Sequence, residues 1–169
     1  AKKETKAFIQ IIHKFRDEAL TLPQPPIEKV AIFDEAQRAW DQAKLSDFMK
    51  TKKGIDGFDQ SEPEFLIQIM DRHQDWATIV CLVGGGQDIN TGEAGIQEWF
   101  ASLKRSFPDW NVYVSGDITA SEYLGDQSFA ELTDGLKCET IKELHLSVSL
   151  RAHRTSDVAG FVDSLLDND

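Results

Sequence analysis

Near the start of the chain, residues 30–35 (Val-Ala-Ile-Phe-Asp-Glu) consist of four apolar residues followed directly by two acids. A short apolar run of this kind is typical of a β-strand that is buried on both faces, as in a parallel sheet. In open α/β sheets, ligands bind at the carboxyl ends of the strands. Asp34 and Glu35 are therefore predicted to lie at a ligand-binding edge. The alternative is a buried strand that ends in a solvated acidic turn.

Helical and strand-like apolar patterns alternate along the rest of the chain. Helices are predicted at 3–20, 61–73, 94–107 and from 156 onward, and strands at 30–33, 77–83, 110–115 and 144–150. The polar stretch 41–60 is predicted to be a mobile loop that contains a short helix near 43–50. A second short helix is predicted near 128–133. The alternation predicts an α/β fold, a three-layer α/β/α arrangement around a mostly parallel sheet. Right-handed crossovers would bring Asp34, Glu35 and Gln87 to one edge of that sheet.

Composition and charge limit the class of protein. The chain has 169 residues and a formal net charge of −11, which argues against a broad electrostatic surface for nucleic acid on this chain alone. A local groove, or other parts of a longer protein, could still bind nucleic acid. No apolar run approaches the roughly 20 residues of a membrane helix. Cys81 and Cys138 are far apart and lack metal-ligand spacing, so a cytoplasmic protein without disulfides is expected.

A glycine-rich stretch follows the second predicted strand, with Gly84, Gly85 and Gly86 directly before Gln87. Consecutive glycines allow a ligand to approach the backbone closely. The stretch is not a Walker A loop, because Gly-Lys-Ser/Thr occurs nowhere in the chain. It is predicted to contact a nucleotide; the alternative is a tight turn from strand to helix.

The two acids suggest a specific chemistry. In P-loop NTPases an acid at this position holds Mg²⁺, and in many of these enzymes a neighbouring side chain orients the attacking water. The first hypothesis is therefore a Walker B strand with Asp34 on the metal side and Glu35 as the catalytic base. A weaker alternative is an unrelated metal-dependent hydrolase that uses Asp34, Glu35 and Asp88.

Three landmarks occur in a fixed order: Asp-Glu-Ala-Gln at 34–37, the glycine-rich loop with Gln87, and Leu-Ser-Val-Ser-Leu-Arg at 146–151. Their order and spacing resemble motifs II, III and IV of superfamily 1 helicases. Two longer strings, Phe-Asp-Glu-Ala-Gln-Arg-Ala-Trp and Cys-Leu-Val-Gly-Gly-Gly-Gln-Asp-Ile-Asn-Thr-Gly-Glu-Ala-Gly-Ile, are similar to one group. That group is the Schlafen-type DNA/RNA helicase family of P-loop ATPases, a bacterial domain of unknown function. The resemblance extends from about residue 30 to the end.

The resemblance implies a role for each matching residue, with ATP and Mg²⁺ as cofactors and DNA or RNA as partner. Asp34 would hold Mg²⁺, Glu35 would polarise the hydrolytic water, and Gln37 would orient Glu35 or the water. On the phosphate side, Gln87 would sense the γ-phosphate and the glycine loop would contact the nucleotide. Arg151 would reach a phosphate, with Arg154 as the alternative if the register shifts.

One departure from the family pattern is the missing Walker A loop, which in the family would lie upstream of residue 1. The chain is therefore predicted to be an internal fragment, a partial RecA-like P-loop NTPase core that meets the remaining segments of the same polypeptide. Residues 1–29 would form a helix and Pro-rich connection, 30–140 the motif II and III core, and 141–169 a strand and helix leading to the second half. The isolated chain would hydrolyse ATP negligibly.

A second departure is Gly85, which stands where motif III usually has Asp. This weakens any role borrowed for that position. A non-enzymatic alternative also remains: a degenerate P-loop domain that acts as a binding or sensor module. In that case the lysines at 50, 52 and 53 and the glycine loop would meet a partner.

Overall fold

A computed structural model of the protein describes residues 11–84, 90–119, 124 and 127–146. The described α-helices are α1 (Ile12–Thr21), α2 (Gln42–Lys53), α3 (Glu62–Met70), α4 (Gly95–Ser106) and α5 (Phe129–Thr133). The strands are β1 (Val30–Phe33), β2 (Thr78–Cys81), β3 (Asn111–Ser115) and β4 (Lys137–Ile141). Short 3₁₀ turns occupy Ala36–Arg38, Gly116–Thr119 and Lys142–Leu144. None of the described helices is long and apolar enough to cross a membrane.

The strands form two short parallel pairs. In the first pair, β1 lies beside β2 with Val30 opposite Thr78 and Phe33 opposite Cys81. In the second pair, β3 lies beside β4 with Asn111 opposite Lys137. The predicted α/β class is confirmed, and among the described residues the strands form two short parallel sheets.

Helix α3 is the centre of the hydrophobic core. All of its residues except Gln68 are buried, and Leu66, Ile67 and Met70 are almost completely inaccessible. A helix that is apolar around most of its circumference must be covered on several sides. It packs against α1, α4 and β2, and the surrounding helices add further buried side chains, among them Leu45, Met49, Trp99 and Phe100.

Local signals explain where α3 begins. The Ser61 hydroxyl accepts a hydrogen bond from the Glu64 backbone N–H at 3.3 Å, and Pro63 occupies the first turn. Both residues are favoured at these positions, because Ser satisfies a free N–H and Pro lacks one. The predicted start is confirmed, whereas the helix ends at Met70 rather than near His73.

The prediction for residues 41–60 is wrong in its main point. Instead of a mobile loop with a short helix, the stretch forms α2, a regular helix of 12 residues. Asp41 caps its start, because the Asp41 carboxylate accepts a hydrogen bond from the Lys44 N–H at 2.8 Å. Gly54 ends it with a φ of 68°, a conformation that glycine adopts without steric cost. Leu45 and Met49, four residues apart, are fully buried and fix this helix to the core.

Strand β1 is not buried on both faces, contrary to the prediction. Phe33 contacts the rings of Phe15 in α1 and Trp99 in α4, at centroid distances of 6.0 and 5.8 Å. On the opposite face Val30 and Ile32 are 48% and 62% exposed. Because successive side chains of a strand point to opposite faces, only one face of β1 is covered within the described part of the chain.

The structure contains a strand, β4, that the sequence pattern does not predict. The structure places it at Lys137–Ile141, whereas residues 144–146 of the predicted strand have no strand geometry. The remainder of that prediction, residues 147–150, lies outside the described residues, as do residues 3–10 of the first predicted helix and the closing helix from 156. The short helix near 128–133 is confirmed as α5, which begins with a complete capping box between Ser128 and Glu131.

Glu64 joins α3 to α4 and makes the stability of the fold depend on pH. Burial alone would raise the pKa of Glu64, but hydrogen bonds from Arg105 at 2.5 Å and Ser106 at 2.6 Å hold it below its usual value. A lowered folded-state pKa stabilises the protein above the unfolded pKa, and this contribution disappears as the pH falls through the folded value.

We expect Glu64→Gln to lower the free energy of unfolding at pH 7 by about 1.5–3 kcal/mol, the usual range for a hydrogen bond to a charged group. The difference between variant and wild type should shrink as the pH falls below about 4.5, where the unfolded carboxyl group becomes protonated. Urea unfolding at pH 7, 5 and 3 measures it. A difference that is independent of pH would contradict the assignment to the ionised Glu64.

The thiol of Cys81 should be unreactive in the folded protein. Burial raises the pKa of Cys81 to about 12, and it also raises the pKa of Cys138. Since the thiolate is the nucleophile, alkylation of Cys81 at pH 8 should be about a hundredfold or more slower than in denaturant. A Cys138→Ser variant isolates the Cys81 signal, and mass spectrometry after timed iodoacetamide treatment measures it. Equal rates in the folded and denatured states would contradict the shielding of the partly buried Cys81 thiol.

Candidate functional site

The two acids lie in a tight turn directly after β1. Pairing with the neighbouring segment continues past the strand end, because Leu82 N–H donates to Phe33 O and Ala36 N–H donates to Leu82 O, both at 2.9 Å. Between these bonds, Asp34 and Glu35 are exposed, and Glu35 has a left-handed backbone with φ 52° and ψ 44°. This conformation is uncommon for a residue other than glycine and is enriched at functional sites.

Gln37 connects the acidic turn to the glycine-rich loop. Its amide nitrogen donates to the Glu35 carboxylate at 2.7 Å, and its amide oxygen accepts from Gly84 N–H at 3.4 Å. Gln37 itself is buried, whereas the Glu35 side chain that it contacts is exposed, so the two contacts are partly shielded from water. Three of the site residues predicted from the sequence, Glu35, Gln37 and Gly84, therefore form one hydrogen-bonded unit at the carboxyl ends of β1 and β2.

The other predicted site residues are not part of this hydrogen-bonded unit. Asp34 is adjacent to this unit, and its carboxylate accepts from Glu35 N–H at 3.1 Å. Outside the described residues lie the remaining candidates: Gly85, Gly86, Gln87, Asp88, Arg151 and Arg154. The roles predicted for these six residues stay predictions.

Two residues at this edge, Arg38 and Glu93, do not stand out in the sequence. The Arg38 guanidinium lies 3.4 Å from the Glu35 carboxylate and 3.6 Å from the Glu93 carboxylate. Burial alone would raise the pKa of Glu93, but hydrogen bonds from Asn90 and the charges of Arg38 and Lys44 hold it below its usual value. Arg38, which directly follows Asp-Glu-Ala-Gln in the sequence, thus places a positive charge beside the exposed Glu35 carboxylate.

Backbone contacts join the segment after the acids to the segment after the glycine-rich loop. Trp40 forms an antiparallel bridge with Glu93, and Ala94 N–H donates to Ala39 O at 2.7 Å. From α4, the indole N–H of Trp99 donates to Ala36 O at 2.9 Å in a buried contact. The segment after the acids is therefore held by Trp99 of the core and by backbone hydrogen bonds with residues 92–94.

The carboxylates of this edge can be tested for their fit to a metal ion. No group of three or more His, Cys, Asp or Glu within the described ranges could hold a metal by itself. Magnesium commonly uses one or two carboxylates and takes its other ligands from water and substrate phosphates. Asp34 is exposed and accepts a backbone N–H on one oxygen, which suits a Mg²⁺ shared with a nucleotide. Asp88, the third acid of the hydrolase alternative, lies outside the described residues.

These features define an α/β domain in which two acids, the Gln37 amide and Gly84 lie at one edge, after two parallel strands. The family model for the Schlafen group 3, DNA/RNA helicase domain matches residues 1–169. The chain belongs to this family, and the predicted resemblance to the Schlafen-type DNA/RNA helicase family is confirmed. Neither the curated proteins nor the solved structures contain a match.

Proposed function

We propose that the chain is part of an ATP-dependent DNA/RNA helicase or nucleic-acid-remodelling ATPase, and that residues 34–37 form its Walker B element. The observation that carries the proposal is the bonded unit of Glu35, Gln37 and Gly84 at the carboxyl ends of two parallel strands. Ligands of α/β folds bind at this edge. Membership of a DNA/RNA helicase family supports the nucleic-acid partner.

Each residue of the unit has a distinct task in this proposal. Asp34 binds Mg²⁺ together with the nucleotide phosphates, and the ion supplies charge stabilisation during phosphoryl transfer. Glu35 accepts a hydrogen bond from the attacking water, and Gln37 holds the Glu35 carboxylate at a fixed distance from Gly84. Gly84, Gly85, Gly86 and Gln87 contact the nucleotide, while Arg151, or Arg154 in its place, contacts a phosphate.

The proposal includes a RecA-like core that this chain forms only in part. In this proposal another part of a longer polypeptide supplies the phosphate-binding loop, since the 169 residues contain no Gly-Lys-Ser/Thr. Within that core, residues 1–29 form the leading helix and connection, 30–140 carry motifs II and III, and 141–169 lead to the second half. The net charge of −11 implies that other parts of the polypeptide provide most of the positive surface for DNA or RNA. A cytoplasmic location fits the free cysteines.

The test is an ATPase assay on two polypeptides: the 169-residue chain and a longer one that includes the upstream phosphate-binding loop. The longer polypeptide should hydrolyse ATP in the presence of Mg²⁺ and be stimulated by single-stranded DNA or RNA, whereas the shorter one should not. Failure of the longer polypeptide to bind labelled ATP at millimolar concentration would overturn the proposal.

One observation favours the alternative of a non-catalytic binding or sensor module. The Glu35 carboxylate is engaged by Gln37 and Arg38 rather than directed freely into solvent. Against that alternative, one of the lysines proposed to meet a partner is already engaged, since Lys53 pairs with Asp17 at 2.6 Å. Nucleotide binding without hydrolysis by the longer polypeptide would identify a sensor, and absence of both would identify a module that binds another ligand.

A further inference from the structure

A fully buried arginine lies behind the acidic turn. Arg16 in α1 is 0% exposed, and its guanidinium lies over the rings of Trp40 and Phe48 at 5.1 and 4.7 Å from their centroids. Arginine is rarely buried to this extent without a charged partner. Cation–π contacts with two aromatic rings hold the guanidinium plane in place between α1, α2 and the segment after the acids.

The charged partner of Arg16 is Glu62, at the start of α3. Glu62 is 1% exposed, and its Oε1 accepts from Arg16 Nη1 at 2.8 Å. Its other oxygen, Oε2, accepts from the backbone N–H of Trp40 at 2.9 Å. In addition, the Glu62 backbone N–H donates to Trp40 O at 2.9 Å. Both main-chain polar groups of Trp40 are therefore bonded to Glu62, whose carboxylate is fixed by Arg16.

Trp40 transmits this restraint to the acids. Residues 36–38 form a single 3₁₀ turn between Glu35 and Ala39, and this leaves little slack in the main chain. On its far side Trp40 pairs with Glu93, and Asp41 N–H donates to Gly92 O at 3.0 Å. The segment leaving the acidic turn is thus held from two sides, by Glu62 and by the residues that follow the glycine-rich loop.

Stability alone does not account for this ion pair. A buried ion pair loses much of its Coulombic gain to desolvation, and apolar residues of similar volume commonly serve as well. Arg16 is also incompletely satisfied, since its Nε and Nη2 make no hydrogen bond within the described part of the chain. What an ion pair provides and an apolar pair does not is a directed acceptor for the Trp40 N–H.

We propose that Arg16 and Glu62 are positioning residues that hold Trp40, and through it the turn carrying Asp34 and Glu35, in the geometry required for ATP hydrolysis. This inference rests on the proposed function. Arg16 and Glu62 touch neither nucleotide nor metal in it; they act through the backbone of residues 36–40.

The first arm of the test is hydrogen exchange on the 169-residue chain and does not depend on ATP hydrolysis. The variant Arg16→Met/Glu62→Gln removes both charges together, and the glutamine oxygen near Trp40 is then no longer held in place by the hydrogen bond from Arg16. Amide exchange of residues 36–41 should become about tenfold faster, because this segment opens locally more often when it is held less firmly. The exchange rates of the α4 amides should not change. Lys14→Met is the matched control, because Lys14 is an exposed residue of the same helix. Unchanged exchange, or a uniform increase throughout the protein, would overturn the inference.

The second arm measures ATP hydrolysis by the longer polypeptide with the phosphate-binding loop. The same double variant should lower kcat about tenfold to a hundredfold, because small displacements of catalytic groups have effects of this size. The KM for ATP should change less than about twofold, since the nucleotide-contacting residues are intact. Arg16→Lys, which keeps the charge, should recover part of the loss.

The two arms separate the inference from the proposed function. If the unsubstituted longer polypeptide binds ATP but does not hydrolyse it, the proposed function fails, and the exchange arm alone decides whether Arg16 and Glu62 hold the turn. If hydrolysis is normal in the double variant while exchange at residues 36–41 accelerates, the restraint exists but does not serve catalysis, and the inference is overturned.

Discussion

In the longer polypeptide with the phosphate-binding loop, Glu35→Gln is expected to lower kcat for ATP hydrolysis by about 10²–10⁴-fold, the usual contribution of a positioned acid or base. Glutamine preserves the size of the side chain and one oxygen that can accept from Gln37, so the turn should keep its shape. What it removes is the charge that polarises the attacking water. The affinity for ATP should remain within about threefold, because a group that acts on the water contributes mainly to the transition state.

Glu28→Gln is the matched control for this variant. Glu28 is exposed and precedes β1, whereas Glu35 follows it, so the same substitution removes the same charge at the opposite end of one strand. Single-turnover hydrolysis of labelled ATP gives the chemical rate, and equilibrium binding of a fluorescent ATP analogue gives the affinity. Retained turnover in Glu35→Gln, or an equal loss of binding and turnover, would remove Glu35 from the role of water-polarising residue.

Much of the candidate site follows from the sequence, for a physical reason. Apolar runs locate β1 and β2, and parallel strands align their carboxyl ends. Residues that come soon after the strand ends, such as Glu35 and Gly84, are then expected to lie close together, and the structure places both in contact with Gln37. The cap at Ser61 is equally local, because a hydroxyl and a free N–H three residues apart need no distant partner.

Other features depend on contacts between distant parts of the chain. Arg16 lies in an otherwise amphipathic helix, and its partner Glu62 is 46 residues away, so no local pattern predicts its burial. Helix α2 is polar in composition, and its only fully buried residues are Leu45 and Met49. In the all-apolar β1, alternation gives no signal, and the exposure of Val30 and Ile32 is decided by which helices cover the sheet.

A second large effect is expected from Arg16→Ala, which should lower the free energy of unfolding by about 3–5 kcal/mol, the usual loss when one partner of a buried ion pair is removed. Glu62 would remain buried without its cation, and the guanidinium would leave a gap between the rings of Trp40 and Phe48. For a domain of this size, each kcal/mol changes Tm by about 2–4 °C, so a decrease of about 6–20 °C is expected.

The cause of that decrease can be separated from a simple loss of volume. Arg16→Met/Glu62→Gln fills most of the space and leaves no uncompensated charge, so it should be more stable than Arg16→Ala by about 2 kcal/mol or more. Lys14→Ala, on the exposed side of the same helix, should change stability by less than about 0.5 kcal/mol. Urea unfolding of the three variants measures these differences. If the double variant were as unstable as Arg16→Ala, packing of the guanidinium between the two rings, rather than the unpaired charge of Glu62, would account for the loss.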